Sequence, residues 1–277
     1  MTEWLGGVGF LERILIAGLL ASVAAGIMGT FVVVKRMASV TGGLAHAAFG
    51  GVGLGYLIGI QPLFGAALFG LLSGVGVGVA YRRLGSALDT AISMVWSAGM
   101  AIGVVAIALS PGYAPDLTSY LFGSILFASW SYVAAVLALD VAILVITVVL
   151  YRALQAVSFD EEFSEVLGLP VDRLIILLLV LVAVTVVTLI QVVGVILAIA
   201  LLTIPAETAR HWSHSLLGMM TRATLIGATA TTCGILGSYE LSRSVELSVP
   251  SGPLIILICI VAYLGSRALR GVVRKRA

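Results

Sequence analysis

His46, Asp140, Glu207, His211 and His214 are the side chains of this chain best suited to hold a cation or a proton in an apolar setting. An imidazole nitrogen is a common ligand for zinc, copper, nickel and iron. His46 lies in VTGGLAHAAFGG over 40–51, where glycines and alanines leave room around its ring. Its plainer role is a hydrogen bond to a neighbouring helix. Asp140 sits within an apolar run, roughly three helical turns from Arg152. It is either a buried carboxylate on a path or a partner for a hydroxyl across a helix interface. Glu207 and His211, four apart, share a helix face and could hold one cation, with His214 one turn on. Arg210 is equally close to Glu207, and Trp212 suits an interfacial aromatic belt. A surface ion pair at a helix end is therefore the plainer reading there. Asp89 suits the start of a helix, where the dipole favours an anion.

The chain around these residues is oily. It has 277 residues, 61% of them hydrophobic and 10% charged, against roughly 25% charged in a soluble domain. The mean hydropathy is +1.19. A helix needs about 20 apolar residues to cross the hydrocarbon. Apolar runs fall at 10–34, 44–60, 62–80, 90–109, 131–150, 172–190, 192–208, 217–238 and 253–269. The expected fold is all-α: a polytopic membrane bundle of about nine transmembrane helices, with eight possible if the first run fails to cross. Residues 1–277 then form a single transmembrane domain, with no separate soluble domain and no removable signal peptide expected. Gln191 and Gly194 mark a very tight turn between two of the runs. Long unbroken runs argue against a β-barrel, whose strands are short and alternating.

Basic residues mark cytoplasmic ends. They cluster at Lys35/Arg36, Arg82/Arg83, Arg152, Arg173, Arg210 and Arg270/Arg274/Lys275/Arg276. Nine alternating spans put every cluster on one side, with the N-terminus outside and the C-terminus cytoplasmic. Residues 111–126 are too short to cross and too apolar to float, which suits an interfacial or re-entrant helix. Residues 240–252 read as a polar external connection. Cys233 and Cys259 both sit in apolar runs and read as small core residues, not a disulfide. Gly43, Ala47, Gly51, Gly55 and Gly59 form one small-residue stripe, and Gly70, Gly74 and Gly78 another. Such stripes let helices pack backbone to backbone; one of them bordering a path or a dimer seam is the alternative. Pro205 is expected to kink or loosen its helix.

Enzyme chemistry is not expected on this polypeptide. A phosphate-binding loop needs Gly-x-x-x-x-Gly-Lys-Ser/Thr, and neither Lys35 nor Lys275 stands in that context. The acidic run over 158–170 is the other informative feature. Phe159, Phe163 and Val166/Leu167 share one face of a helix, while Asp160, Glu161, Glu162 and Glu165 cover the rest. Ser158 reads as its N-cap, and Gly168 followed by Pro170 as its end. Interfacial helices usually carry Lys/Arg toward anionic lipid. This one is acidic, so a protein partner is the better reading.

On these features the chain resembles the membrane permease subunits of ABC importers for zinc, manganese and iron. The resemblance covers nearly the whole chain. It is carried by DEEFSEVLGLPV over 160–171 and GVILAIALLTIPAETA over 194–209, with support from DLTSYLFGSIL over 116–126, DTAI over 89–92 and LSVPSGP over 247–253. It implies ATP-driven alternating access in a prokaryotic plasma (inner) membrane. The implied partners are cytoplasmic ATPase subunits, an extracytoplasmic metal-binding protein, a second permease copy and lipid, with no nucleic acid. It also implies that the coupling segment, Phe159, Asp160, Glu161, Glu162, Phe163, Glu165, Leu167 and Gly168, sits in a groove of the ATPase. No cofactor is tightly bound; a divalent ion is held in passing as cargo. The family's second span often reads Asp-x-x-x-His, both proposed as metal ligands. His46 matches the histidine, but Gly42 stands at the aspartate position. Glu207, where many relatives carry a small residue, or Asp140 is then the candidate to restore the charge. Zinc is the expected metal, because imidazole suits it and manganese favours carboxylates. A permease for a larger chelate of siderophore or cobalamin type, or a membrane scaffold without a solute path, are the alternatives.

Overall fold

The computed structural model describes residues 2–111, 130–245 and 249–276, and all their regular elements are helical. They run α1 Thr2–Val34, α2 Ala38–Ile58, α3 Pro62–Leu84, a 3-10 turn Gly85–Ala87, α4 Leu88–Leu109, α5 Trp130–Val149, α6 Tyr151–Phe159, α7 Glu161–Val166, α8 Val171–Arg210, α9 Leu216–Val245 and α10 Ser251–Arg276. Each of the nine apolar runs is helical. Among the described residues, six segments are long and apolar enough to cross a membrane by themselves. A seventh arises if α5 and α6, bent by 75° at their junction, count as one span. The expected count of nine is thus approximate. α2 falls outside the six for a physical reason. Residues 40–53 are all buried, so the helix meets other helices rather than lipid and can spend its length on glycine.

Glycine sets the approach distances. In lipid, helix association comes from close packing rather than from the hydrophobic effect. Gly51 of α2 meets the backbone of Gly65 on α3, and a Cβ on Gly50 would lie 2.8 Å from the carbonyl oxygen of Gly99 on α4. Gly70, Gly74 and Gly78 of α3 face Val187, Ala183 and Ile176 of α8. α1 crosses α9 at Gly18 and Gly26 and α8 at Gly29. Both glycine stripes therefore serve close helix packing, apart from Gly59, where a Cβ would meet nothing within 4 Å. α2 ends where Gly59 takes φ 73°, its N–H reaching back to Gly55 and Tyr56, and Pro62 opens α3.

Several expectations are corrected. α8 passes through Pro205 with helical backbone angles; its break is at Gly194, where φ is 80° and ψ 168°. The tight turn expected near Gln191 and Gly194 thus joins two halves of a folded-back α8, each a candidate span. α9 continues to Val245, through the first part of the expected external connection. Two serines tie it down: the Ser238 hydroxyl, just before that part, donates to the Val249 carbonyl at 2.6 Å, and Val249 N–H donates to Ser242 Oγ at 3.0 Å. Cys259 is buried, but Cys233 is exposed on α9; both are free thiols. The interfacial helix expected over 111–126 lies almost wholly outside the described residues.

One end of the bundle gathers Lys35, Arg82, Asp172, Arg210 and Arg267. The C-terminal half of α8 packs there beside α1 and α9, with Val33, Ala206, Ala209, Met219 and Ala223 in one apolar cluster. Asp89 lies at this end too, in the first turn of α4, and accepts from the Ser39 hydroxyl at 2.8 Å. The acidic segment hangs from the same end.

Candidate functional site

The acidic segment is two helices, not one. α6 ends at Phe159, Asp160 is extended, and α7 begins at Glu161. Asp160 is the N-cap: its carboxylate accepts from Phe163 N–H at 2.9 Å. Ser158 does not cap; it lies in the last turn of α6 and bonds back to the Leu154 carbonyl. The reason lies in the chain itself: an N-cap residue needs extended backbone angles, and only Asp160 has left α6. Glu161 and Glu162 lie in the first turn, where the helix dipole favours them. Gly168, at φ 78°, supplies the left-handed residue that lets the chain turn toward Pro170 and α8.

Two of the acids face the bundle. Glu161 is ion-paired with Lys35, whose side chain is 4% exposed. Lys35 also donates to the Val157 carbonyl at 3.1 Å and lies over the Tyr81 ring, 5.6 Å from its centre. The Tyr81 hydroxyl reaches Glu161 at 3.4 Å. Beside this, Arg82 grips Glu165 at 2.8 Å and Asp172 at 3.0 Å. The ends of α1 and α3 thus clamp α7 and the start of α8. Outside the clamp Phe159, Phe163, Val166 and Leu167 are all exposed, with Asp160 and Glu162 beside them. Such an apolar cluster held on a charged frame is the usual signature of a docking surface.

The histidine site is narrower than the sequence suggests. His46 is 9% exposed and stacks on Trp96 of α4, with ring centres 4.3 Å apart and planes 14° from parallel. Its Nδ1 is buried and has no hydrogen-bond partner, so the plain role of a hydrogen-bonded core histidine is not met at that atom. Gly42, one turn before, shares the arrangement. A Cβ there would lie 2.8 Å from Cζ3 of Trp96. The indole therefore occupies the space into which a side chain at position 42 would grow. α4 is held in this register by Ile92 against Gly43, Gly99 against Ala47, and Gly103 against Phe49.

The other candidates lie elsewhere. Asp140 is 5% exposed, and both its oxygens lack partners among the described residues. Its helix, α5, packs on α1 and α8, whereas α2 is packed by α3, α4 and α8. Glu207 is ion-paired with Arg210 at 2.9 Å. His211 Nδ1 lies 3.1 Å from Ser266 Oγ and its ring stacks on Tyr263 of α10. Ser266 Oγ also accepts from Trp212 Nε1 at 2.7 Å. Burial is the main cause holding the His211 pKa below its ordinary value, with Arg270, Arg210 and Arg267 adding to it and Glu207 opposing. His214 is exposed. No group of three or more His, Cys, Asp or Glu side chains is placed to hold a metal ion among the described residues.

Trp96, Lys35, Tyr81 and Arg82 frame the candidate sites, yet the sequence reading gave none of them a place there. Trp96 had a signal: it lies three residues before Gly99, whose spacing to Gly103 marks the α4 face that approaches another backbone. The clamp had none, because its members lie 80 to 126 positions from the acids they hold.

A helical bundle of this kind, with six or seven segments among the described residues long and apolar enough to cross a membrane, fits an integral membrane protein. The profile of the ABC 3 transport family matches residues 8–270, and the chain belongs to that family. It is 40% identical over 261 residues to an uncharacterized membrane protein of Synechocystis, covering 94% of this chain and 91% of that one. It is 32% identical to the manganese import system permease protein ScaB of Streptococcus parasanguinis, over 95% and 93% of the two chains. Among solved structures it matches PsaBC from Streptococcus pneumoniae in complex with Fab. The TM-score there is 0.82 and the identity 31%, over 96% and 94% of the chains. The chain is the membrane subunit of a metal-type ABC importer, a transport subunit whose ATPase is a separate polypeptide.

Proposed function

We propose that this permease imports a divalent transition metal, zinc ahead of manganese, by alternating access in a homodimer. Cytoplasmic ATPase subunits dock on Phe159, Phe163, Val166 and Leu167, and an extracytoplasmic metal-binding protein delivers the ion. On this reading the Lys35 end of the bundle is cytoplasmic, the C-terminus with it, and the N-terminus lies outside.

The observation that carries the metal reading is the unpartnered Nδ1 of buried His46. A buried polar atom without a partner is costly, and a passing cation would relieve it. Such a ligand must be neutral, because metal competes with protons for the imidazole. Zinc is favoured because the donor here is a borderline nitrogen, whereas manganese prefers carboxylate oxygen; Gly42 offers none. Manganese stands as the second reading, supported by the names of relatives such as ScaB and the Listeria innocua protein MntC. Uptake of zinc and manganese into proteoliposomes holding permease, ATPase and binding protein tests both. His46→Ala is expected to reduce uptake of the transported metal while the subunits still assemble. Unaltered uptake would make His46 structural only, and uptake of manganese alone would reverse the order of the metals.

A further inference from the structure

The end of α10 carries a cationic group that the proposed transport cycle does not use. Tyr263, Ser266, Arg267 and Arg270 recur at three and four residues, on one face of the helix. That face meets the end of α8. Ser266 Oγ lies 2.7 Å from Trp212 Nε1 and 3.1 Å from His211 Nδ1, and the Tyr263 ring stacks on His211. α9 joins them through Arg222, which donates to the Trp212 carbonyl at 2.5 Å and to Ser213 Oγ at 3.1 Å. Arg210, Arg267 and Arg270 are all near enough to act on His211 electrostatically. Four guanidiniums, those of Arg210, Arg222, Arg267 and Arg270, thus gather where α8, α9 and α10 meet, and all four residues are exposed. Among the described residues, Glu207 is the one acid paired with any of them. Arg267 gives one N–H to the Tyr263 hydroxyl at 3.2 Å, and Arg270 has no hydrogen-bond partner among the described residues.

A second feature leads into this group. α10 is the least covered of the candidate spans. On it Leu257, Ile260, Val261 and Leu264 are exposed, again at spacings of three and four, and the series runs on to Arg267. They form an apolar track that ends at the guanidiniums. From Leu257 to Arg267 the rise is about 15 Å at about 1.5 Å per residue, which is about half the hydrocarbon thickness of a bilayer.

We infer that this corner binds one anionic phospholipid, its phosphodiester held by Arg267 and Arg270 and one acyl chain lying on the track. Guanidinium N–H groups match phosphate oxygens in pairs. The ligand is anionic because one carboxylate answers four arginines, and it is a lipid because the approach to those arginines is apolar and one leaflet deep. Bound there, it offsets the mutual repulsion of the arginines and steadies the junction of the three helices. The site is separate from His46 and does not depend on the metal reading.

The test titrates dioleoyl phosphatidylglycerol into the purified full-length chain in detergent and counts retained lipid by native mass spectrometry. One molecule should be retained in preference to dioleoyl phosphatidylcholine. Arg267→Gln/Arg270→Gln is expected to weaken that retention roughly thirtyfold, about fivefold for each charge lost. Arg83→Gln, which removes another exposed charge from the same end of the bundle, should retain the lipid as the unaltered chain does. Should the double variant fold poorly, Arg270→Gln alone serves, with a loss of about fivefold. Inorganic phosphate, which has no acyl chain, should not displace the lipid at equal concentration. Unchanged retention in the folded Arg267 and Arg270 variants overturns the site. An equal loss in Arg83→Gln reduces it to the general attraction of a basic surface and overturns it too. Displacement by inorganic phosphate leaves a site for a soluble anion and overturns the lipid.

Discussion

The Lys35–Glu161 pair makes a prediction that a bare count of ion pairs would miss: its two members are not equally expendable. The Lys35 side chain is 4% exposed and that of Glu161 27%. Removing the carboxylate, by Glu161→Gln, leaves an ammonium group in the protein with the Val157 carbonyl and the face of Tyr81. An uncompensated buried charge costs about 3–5 kcal/mol, and the aromatic face returns about 1–2 kcal/mol of that. The net loss is therefore about 1–4 kcal/mol. Removing the ammonium, by Lys35→Met, leaves a carboxylate that keeps a bond from Tyr81 and reaches solvent over its exposed quarter. That loss should be about 1 kcal/mol, the scale of a pair with a wet partner. The double variant Lys35→Met/Glu161→Gln has no stranded charge and should recover most of the stability of Glu161→Gln. Thermal unfolding of the full chain in detergent, followed by circular dichroism, orders the three. The reasoning fails if Lys35→Met is as damaging as Glu161→Gln, or if the double variant is the least stable.

Three further outcomes are expected. Phe163→Asp puts a charge in the exposed apolar knob without touching the clamp, so the permease should stay folded and lose its ATPase on co-purification; unchanged co-purification would remove the docking role. Gly194→Ala places a Cβ on a residue at φ 80° and should cost about 1–2 kcal/mol, read as a lower midpoint of thermal unfolding; a neutral result would mean that the fold-back of α8 tolerates another backbone. His211 has a depressed pKa in the folded chain, so the unfolded chain binds the extra proton first. Its contribution is present above about pH 6.5 and is lost as pH falls below that. Melting from about pH 7.5 to about 5.5 should therefore show a smaller drop in His211→Gln than in the unaltered chain, and equal drops would assign the pH effect elsewhere.

The composition made this a helical membrane protein, and the spacing of its apolar runs located every long helix, because a bilayer demands a continuous apolar length that no local detail can hide. The acidic segment was legible for a similar reason: its charges contrast with everything around it. The sequence also announced that α2 packs closely, since glycine every fourth residue has few other uses in lipid. Other features depended on neighbours distant in the chain. Whether Asp160 or Ser158 caps α7 was decided by where α6 ends, and that depends on how Leu154 and Val157 are buried. Glu161 and Glu165 looked like parts of an outward acidic face, yet Lys35, Tyr81 and Arg82 turn them inward. Gly42 read as a missing ligand. Only the packing of α4 on α2, fixed by Gly99 and Gly103, put Trp96 in that space and gave the absent side chain a reason. Local chemistry acts over a few residues and can be read along a line; which rings and charges meet depends on helix register and crossing, and those exist only once the bundle has closed.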